Sequence, residues 1–107
     1  LQHLLAQGLA LVERNYRVAR GPSARGAEVD LIMRDRDGTL VFVEVRQRAD
    51  TDHGGAAASI NRGKQRRCIL GAKFYLQTLS VWPPCRFDVV AIDGDVLTWL
   101  PAAFDAS

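Results

Sequence analysis

AEVDLIMRDRDGTLVFVEVRQR, residues 27–48, carries the pattern that decides the fold. Asp37-Gly38 separates two runs rich in β-branched and aromatic residues, the strongest short signal for a hairpin turn. Side chains alternate across a strand, so residues two apart share a face. In the second run Val41, Val43 and Val45 fall on one side, and Phe42, Glu44, Arg46 and Arg48 on the other. In the first, Glu28, Asp30 and Ile32 share a face, with Val29, Leu31 and Met33 opposite. A hairpin closed at Asp37-Gly38 brings the carboxylates of Glu28, Asp30 and Glu44 toward one end of the sheet. The all-valine face calls for a helix packed on it.

Outward from the hairpin, residues 9–19 are rich in β-formers, and 1–7 read as the last turns of a helix that Gly8 ends in the left-handed conformation. Gly21, Pro22, Ser23 and Gly26 mark a loop. Downstream, 50–58 is polar and Gly-rich, and Ser59 or Asn61 can cap a helix running to about Thr78. Its Ile69, Ala72, Leu76 and Leu79 recur at helical spacing and face the sheet. Pro83-Pro84 breaks the pattern, RFDVVAI at 86–92 is a strand, and Asp93-Gly94 turns into a last strand over 96–100. The order is α-β-β-β-α-β-β. The helix between the third and fourth strands is long enough for a crossover to a parallel neighbour. The expectation is a single α/β domain over 1–107 with a mixed sheet. Leu1 stands where a full chain would have Met, so the first helix is expected to be incomplete.

A length of 107 residues suits one core, and 48% hydrophobic with 24% charged residues is a globular balance. No apolar run approaches the roughly 20 residues of a membrane span. Cys68 and Cys85 form no paired motif and read as packed, reduced thiols of a cytoplasmic protein. The net charge of +2 does not by itself imply nucleic acid. Its distribution is more telling: Arg62, Lys64, Arg66, Arg67 and Lys73 fall in 60–73 without an acid, whereas Asp88, Asp93, Asp95 and Asp105 occupy the C-terminal end without a base. The basic segment is either a solvated helix face or a phosphate-binding surface helped by the helix dipole. Asp88 reads as a structural partner of Arg86. His53 is isolated, Gly54-Gly55 could admit a backbone closely, and Tyr16 and Arg17 anchor the first strand.

The acids of the hairpin have two readings. They pair with Arg46 and Arg48 across a half-exposed sheet, each pair worth some tenths of a kcal/mol. Alternatively they form a site for a hard divalent cation, Mg²⁺ or Mn²⁺, which prefers carboxylate oxygens and water.

The run at 26–48, with ERNYR at 13–17, GKQRR at 63–67, AKFYL at 72–76 and RFDVVAI at 86–92, closely resembles the YraN-like family across almost the whole chain. That resemblance implies a restriction-endonuclease-like fold of the PD-(D/E)xK type, similar to archaeal Holliday-junction resolvases. By position, Asp30 looks like the metal-binding aspartate and Glu44 like the acid of the E-x-K element, with the Val45 carbonyl as a further ligand. Glu28 looks like the family's additional acid beside the metal, and the resemblance implies a further glutamate on the first helix. The expected lysine is Arg46 here. Arginine keeps the charge but does not release a proton at working pH, so activity is expected to be weakened unless Lys64 takes that role from the second helix. The resemblance therefore implies a metal-dependent endonuclease-like protein acting on DNA, branched DNA included, and the analogy to resolvases implies a homodimer. In that reading Asp30, Glu44 and Arg46 are catalytic, and Arg48, Arg62, Lys64, Arg66 and Arg67 contact nucleic acid. The alternatives are a non-catalytic nucleic-acid-binding module with a degenerate site, or a protein-interaction scaffold.

Overall fold

The computed structural model describes residues 1–18, 26–48 and 60–106. His53, Gly54-Gly55, Ser59 and the 21–23 part of the loop lie outside them, as does the side chain of Arg48. Strand β3 (Leu40–Arg48) is the middle of a five-stranded sheet of order β1-β2-β3-β4-β5. Its Leu40, Val41, Phe42 and Val43 are all fully buried. A strand covered on both faces reads as a continuous apolar run, which explains LVFV.

Strand β2 (Ala27–Arg34) pairs antiparallel with β3, and β1 (Ala10–Val18) pairs antiparallel with β2. The β2–β3 turn is set by Gly38 at φ +90° and by Asp37, whose carboxylate accepts the Thr39 N–H at 2.9 Å. Helix α1 (Gln2–Ala6) ends at Gly8, φ +96°, as the sequence implies. Helix α2 (Arg62–Leu76) is capped by Asn61, whose side-chain oxygen accepts the Lys64 N–H at 3.0 Å. It carries the chain to β4 (Cys85–Asp93), which lies parallel to β3. Strand β5 (Val96–Phe104) returns antiparallel beside β4 and runs past Leu100, where the sequence places its end. Pro101 lacks a ladder N–H, but on an outer strand this is tolerated. Among the described residues, no helix is long and apolar enough to cross a membrane.

Two apolar clusters sandwich the sheet. Leu4, Leu9, Leu31, Met33, Val41, Val43 and Val90 pack on the α1 side. Val29, Ile32, Leu40, Phe42 and Phe87 pack against Cys68, Ala72 and Leu76 of α2. The valine face is thus covered by the short helix, and the longer one lies over the face that carries Glu44. Cys68 is buried, whereas Cys85 is exposed, contrary to the expectation of two packed thiols.

Strict alternation fails at one place in β2. Val29 packs with Ile32, not with Leu31 and Met33. The β1–β2 register pairs Arg14 with Leu31 and Tyr16 with Val29, and between them Asn15 takes φ +53°. It stands opposite Asp30.

Candidate metal and phosphate site

The β2–β3 ladder has its last pair at Leu31 and Val43, so the strands part at Asp30 and Glu44. Asp30 fills the gap: its Oδ2 accepts the Val45 N–H at 2.8 Å, replacing a backbone bond with a side-chain one. A residue's N–H and C=O point to the same edge of a strand, so the Val45 carbonyl faces this opening too. One cleft is lined by Glu28, Asp30, Glu44, Val45, Arg46, Lys64 and Arg67. It brings together all three acids singled out in the hairpin.

Burial and mutual repulsion both work against ionising the two strand acids. Burial raises the Asp30 pKa against the Val45 hydrogen bond, helped by the negative charge of Glu28. Glu44 is pushed from 4.5 up to about 7, by burial first and then by Asp30 and Glu28, although Lys64 and Arg46 pull it back. Two adjacent carboxylates that resist ionising together are a place where an added cation is worth much. Behind them, burial and then the charges of Glu44 and Asp30 push the Cys68 thiol up, which keeps it an inert, packed group. Among the described residues, no three His, Cys, Asp or Glu side chains are set to enclose an ion together.

The basic helix is divided. Lys64 and Arg67 line the carboxylate cleft, on the same side of α2 as Gly71, which lies against β2. Arg62 and Arg66 line a separate hollow with Gln65, Ile69, Phe104 and Asp105, and with Lys73 they are exposed on the solvent side. Four cations that look equivalent in sequence therefore fall into two pairs. On a helical wheel Arg62, Arg66 and Lys73 fall on one flank of Ala72 and Leu76, and Lys64 and Arg67 on the other, but which flank meets the cleft depends on the neighbouring strand.

Glu28 is held from two sides. Its Oε1 lies 3.5 Å from Arg17 Nη2, and its Oε2 accepts a hydrogen bond from Arg67 Nη2 at 3.3 Å. Arg17 looks in sequence like a strand anchor and is in fact a member of this group. Leu1, Arg14 and Asn15 form a second opening that reaches Asp30 and Val45 from the other side of the sheet. The β1 residues of that opening carry no chemical pattern in sequence and are marked only by the break in alternation.

Asp88, by contrast, is the structural partner that the sequence implies: Arg86 Nε donates to its Oδ1 at 3.1 Å.

Residues 1–92 match the family described as "Uncharacterised protein family UPF0102". A UPF0102 protein of Methylibium petroleiphilum is 63% identical over 107 residues, spanning the whole chain and 88% of the relative. A UPF0102 protein of an Acidovorax species is 58% identical over 107 residues, covering 100% of the chain and 79% of the relative. One from Cupriavidus taiwanensis is 59% identical over 106 residues, covering 99% and 76%.

Proposed function

We propose that this chain, which belongs to the UPF0102 family, is a metal-dependent endonuclease-like protein acting on DNA, including branched or otherwise structured DNA. One observation carries the reading: two part-buried carboxylates on neighbouring strands, Asp30 and Glu44, share a cleft with Arg46, Lys64 and Arg67. Structural acids are normally matched to donors. Burial and the charge of neighbouring acids raise the pKa of both, beside cations suited to phosphate. The α-β-β-β-α-β-β order and the parallel β3–β4 pair agree with a restriction-endonuclease-like fold.

The donor set fits Mg²⁺ or Mn²⁺. Such ions take one or two carboxylates and keep several waters. Asp30 and Glu44 would hold the ion, with the Val45 carbonyl beside them. The bound metal would supply Lewis-acid charge and a water of lowered pKa. Arg46 places positive charge by the phosphate and holds its proton throughout. Lys64 lies in the same cleft, close enough for its charge to act on Glu44. An amine can exchange a proton where a guanidinium cannot, so Lys64 takes the part of the lysine that Arg46 replaces. The α2 N-terminus adds its dipole on the same side.

A second reading, a nucleic-acid-binding module without turnover, is favoured by Arg46 itself. Cleavage of branched and linear DNA with Mg²⁺ and Mn²⁺ separates the two. Weak cleavage is expected from the parent, and Glu44→Gln should abolish it. Lys64→Ala should lower it, and Arg46→Lys should raise it. Binding without cleavage under every condition would select the second reading, and cleavage that survives Glu44→Gln would move the active site elsewhere.

A further inference from the structure

We infer that Glu28 is a positioning residue that holds Arg17 and Arg67 as a clamp for a backbone phosphate beside the carboxylate cleft, and that it is not a third metal ligand. The inference rests on the nucleic-acid reading above and assigns Glu28 a different role within it.

The geometry starts from the register. Arg17 is the direct cross-strand partner of Glu28 in the β1–β2 ladder. Arg67 arrives from α2, one turn before Gly71. There the helix comes so near β2 that a Cβ would stand 2.9 Å from Val29 Cγ2 and 3.3 Å from the Glu28 nitrogen. This approach sets Arg67 over Glu28. Arg67 Nε also donates to the Gly26 carbonyl at 3.1 Å, so its guanidinium is fixed at two points. Among the described residues its Nη1 carries neither of these bonds. Both oxygens of Glu28 are engaged, one by each arginine. Coordinating an ion would require Glu28 to give up at least one of them.

Exposure gives the direction. The side chain of Glu28 is 29% exposed, whereas Arg67 is 41% and Arg17 69% exposed. The acid lies beneath and the two guanidinium groups are held outward. Holding two arginines on one carboxylate removes part of the entropy cost of ordering them around an anion. Guanidinium forks match phosphate oxygens in a planar, bidentate way. The ligand class is therefore a phosphodiester of the same strand, adjacent to the one over Asp30 and Glu44.

Two measurements on the whole protein test this. Mn²⁺ affinity is read by EPR, and affinity for a fluorescent DNA duplex by anisotropy over a salt series in EDTA. Asp30→Asn should weaken Mn²⁺ binding at least about tenfold, and Glu28→Gln clearly less, since Glu28 acts on Asp30 and Glu44 as a neighbouring charge and not as a ligand. Arg17→Ala and Arg67→Ala should each flatten the log–log salt slope by about 1, the signature of one lost phosphate contact. Arg67→Lys, which keeps the charge but loses the Gly26 bond, should recover only part of the affinity. In the Glu28→Gln background, Arg67→Ala should cost less than half its wild-type effect on DNA binding, because contacting residues are coupled. Loss of Mn²⁺ binding in Glu28→Gln, strictly additive DNA effects, or unchanged slopes in both arginine variants would overturn the clamp. Absence of Mn²⁺ binding in the parent would instead overturn the metal-site reading while leaving the DNA arm to decide the clamp.

Discussion

Asp88 and Glu44 sit on adjacent strands of one sheet and are treated in opposite ways. Asp88 is completely buried, yet its carboxylate accepts bonds from Arg86, from the Trp99 indole at 2.9 Å and from the Ala102 N–H at 2.9 Å. Arg86 reaches on to Asp35 at 2.8 Å and ties the β2–β3 turn to β4. Every lone pair of consequence there has a partner. Glu44 is less buried, but its nearest charges include two further acids, and its pKa rises to about 7. A saturated acid holds a fold together, whereas a buried acid beside other acids costs stability when it ionises. Depth of burial alone would have ranked them the wrong way round.

The sharpest way to break this contrast is Asp88→Ala. Removing one partner of a buried pair strands the other, so stability should fall by about 3–5 kcal/mol in urea denaturation. Mn²⁺ binding by the folded fraction should not change. A loss below about 1 kcal/mol, the scale of an exposed pair, would erase the distinction.

Next in size is Gly71→Ala. The added methyl meets Val29 and the β2 backbone, so an overpacking cost of about 1–3 kcal/mol is expected. Arg67 rides on the same side of α2, and DNA affinity should fall with stability. Unaltered affinity would mean that the helix approach does not set the cleft.

Glu44→Gln should act in the other direction. The folded-state pKa lies above the ordinary value of 4.5, at about 7. The folded protein therefore holds this proton more tightly than the unfolded chain. The contribution of Glu44 to stability is greatest below 4.5, falls as pH rises from there through about 7, and stays reduced above. Allowing for partial exposure, the penalty is on the order of 1 kcal/mol. Melting curves of the metal-free protein should show that slope and Glu44→Gln should remove it, while Mn²⁺ should turn the high-pH loss into a gain. A parent whose melting temperature is level over this range would refute the ionisation cost at Glu44.

The smallest effect belongs to the outer face of α2. Arg62→Ala with Arg66→Ala should change stability by no more than about 0.5 kcal/mol. Arg66→Ala should also weaken DNA binding less than Arg67→Ala does. The reverse ranking in anisotropy would make the solvent face the main contact surface.

Much of this arrangement is legible in the chain because the punctuating residues are unambiguous. Gly8, Asp37-Gly38, Asn61 and Asp93-Gly94 set the element order, and the Asp88–Arg86 partnership follows from their being two apart on one strand. Two things are not legible. Val29 packs with Ile32 and not with Leu31 and Met33, and no local pattern in β2 records that change of face. The division of the α2 cations depends on which side of the helix meets the sheet, and Gly71 marks that contact only once the neighbour is known. The far end of β5 escapes for a related reason: Pro101 reads as a stop, but the Asp88 carboxylate holds the backbone beyond it.

Asn15 and Ala102 also bear on how copies of this chain would meet. These are the non-glycine residues with positive φ among the described ones, at +53° and +51°, and they fall on β1 and β5, the two outer strands of the sheet. An open edge is a template for another chain, and kinks and missing donors are how such edges are blunted. On β5, Pro101 offers no N–H and that of Ala102 is turned inward to Asp88. Sheet extension from protomer to protomer is thereby discouraged at both margins.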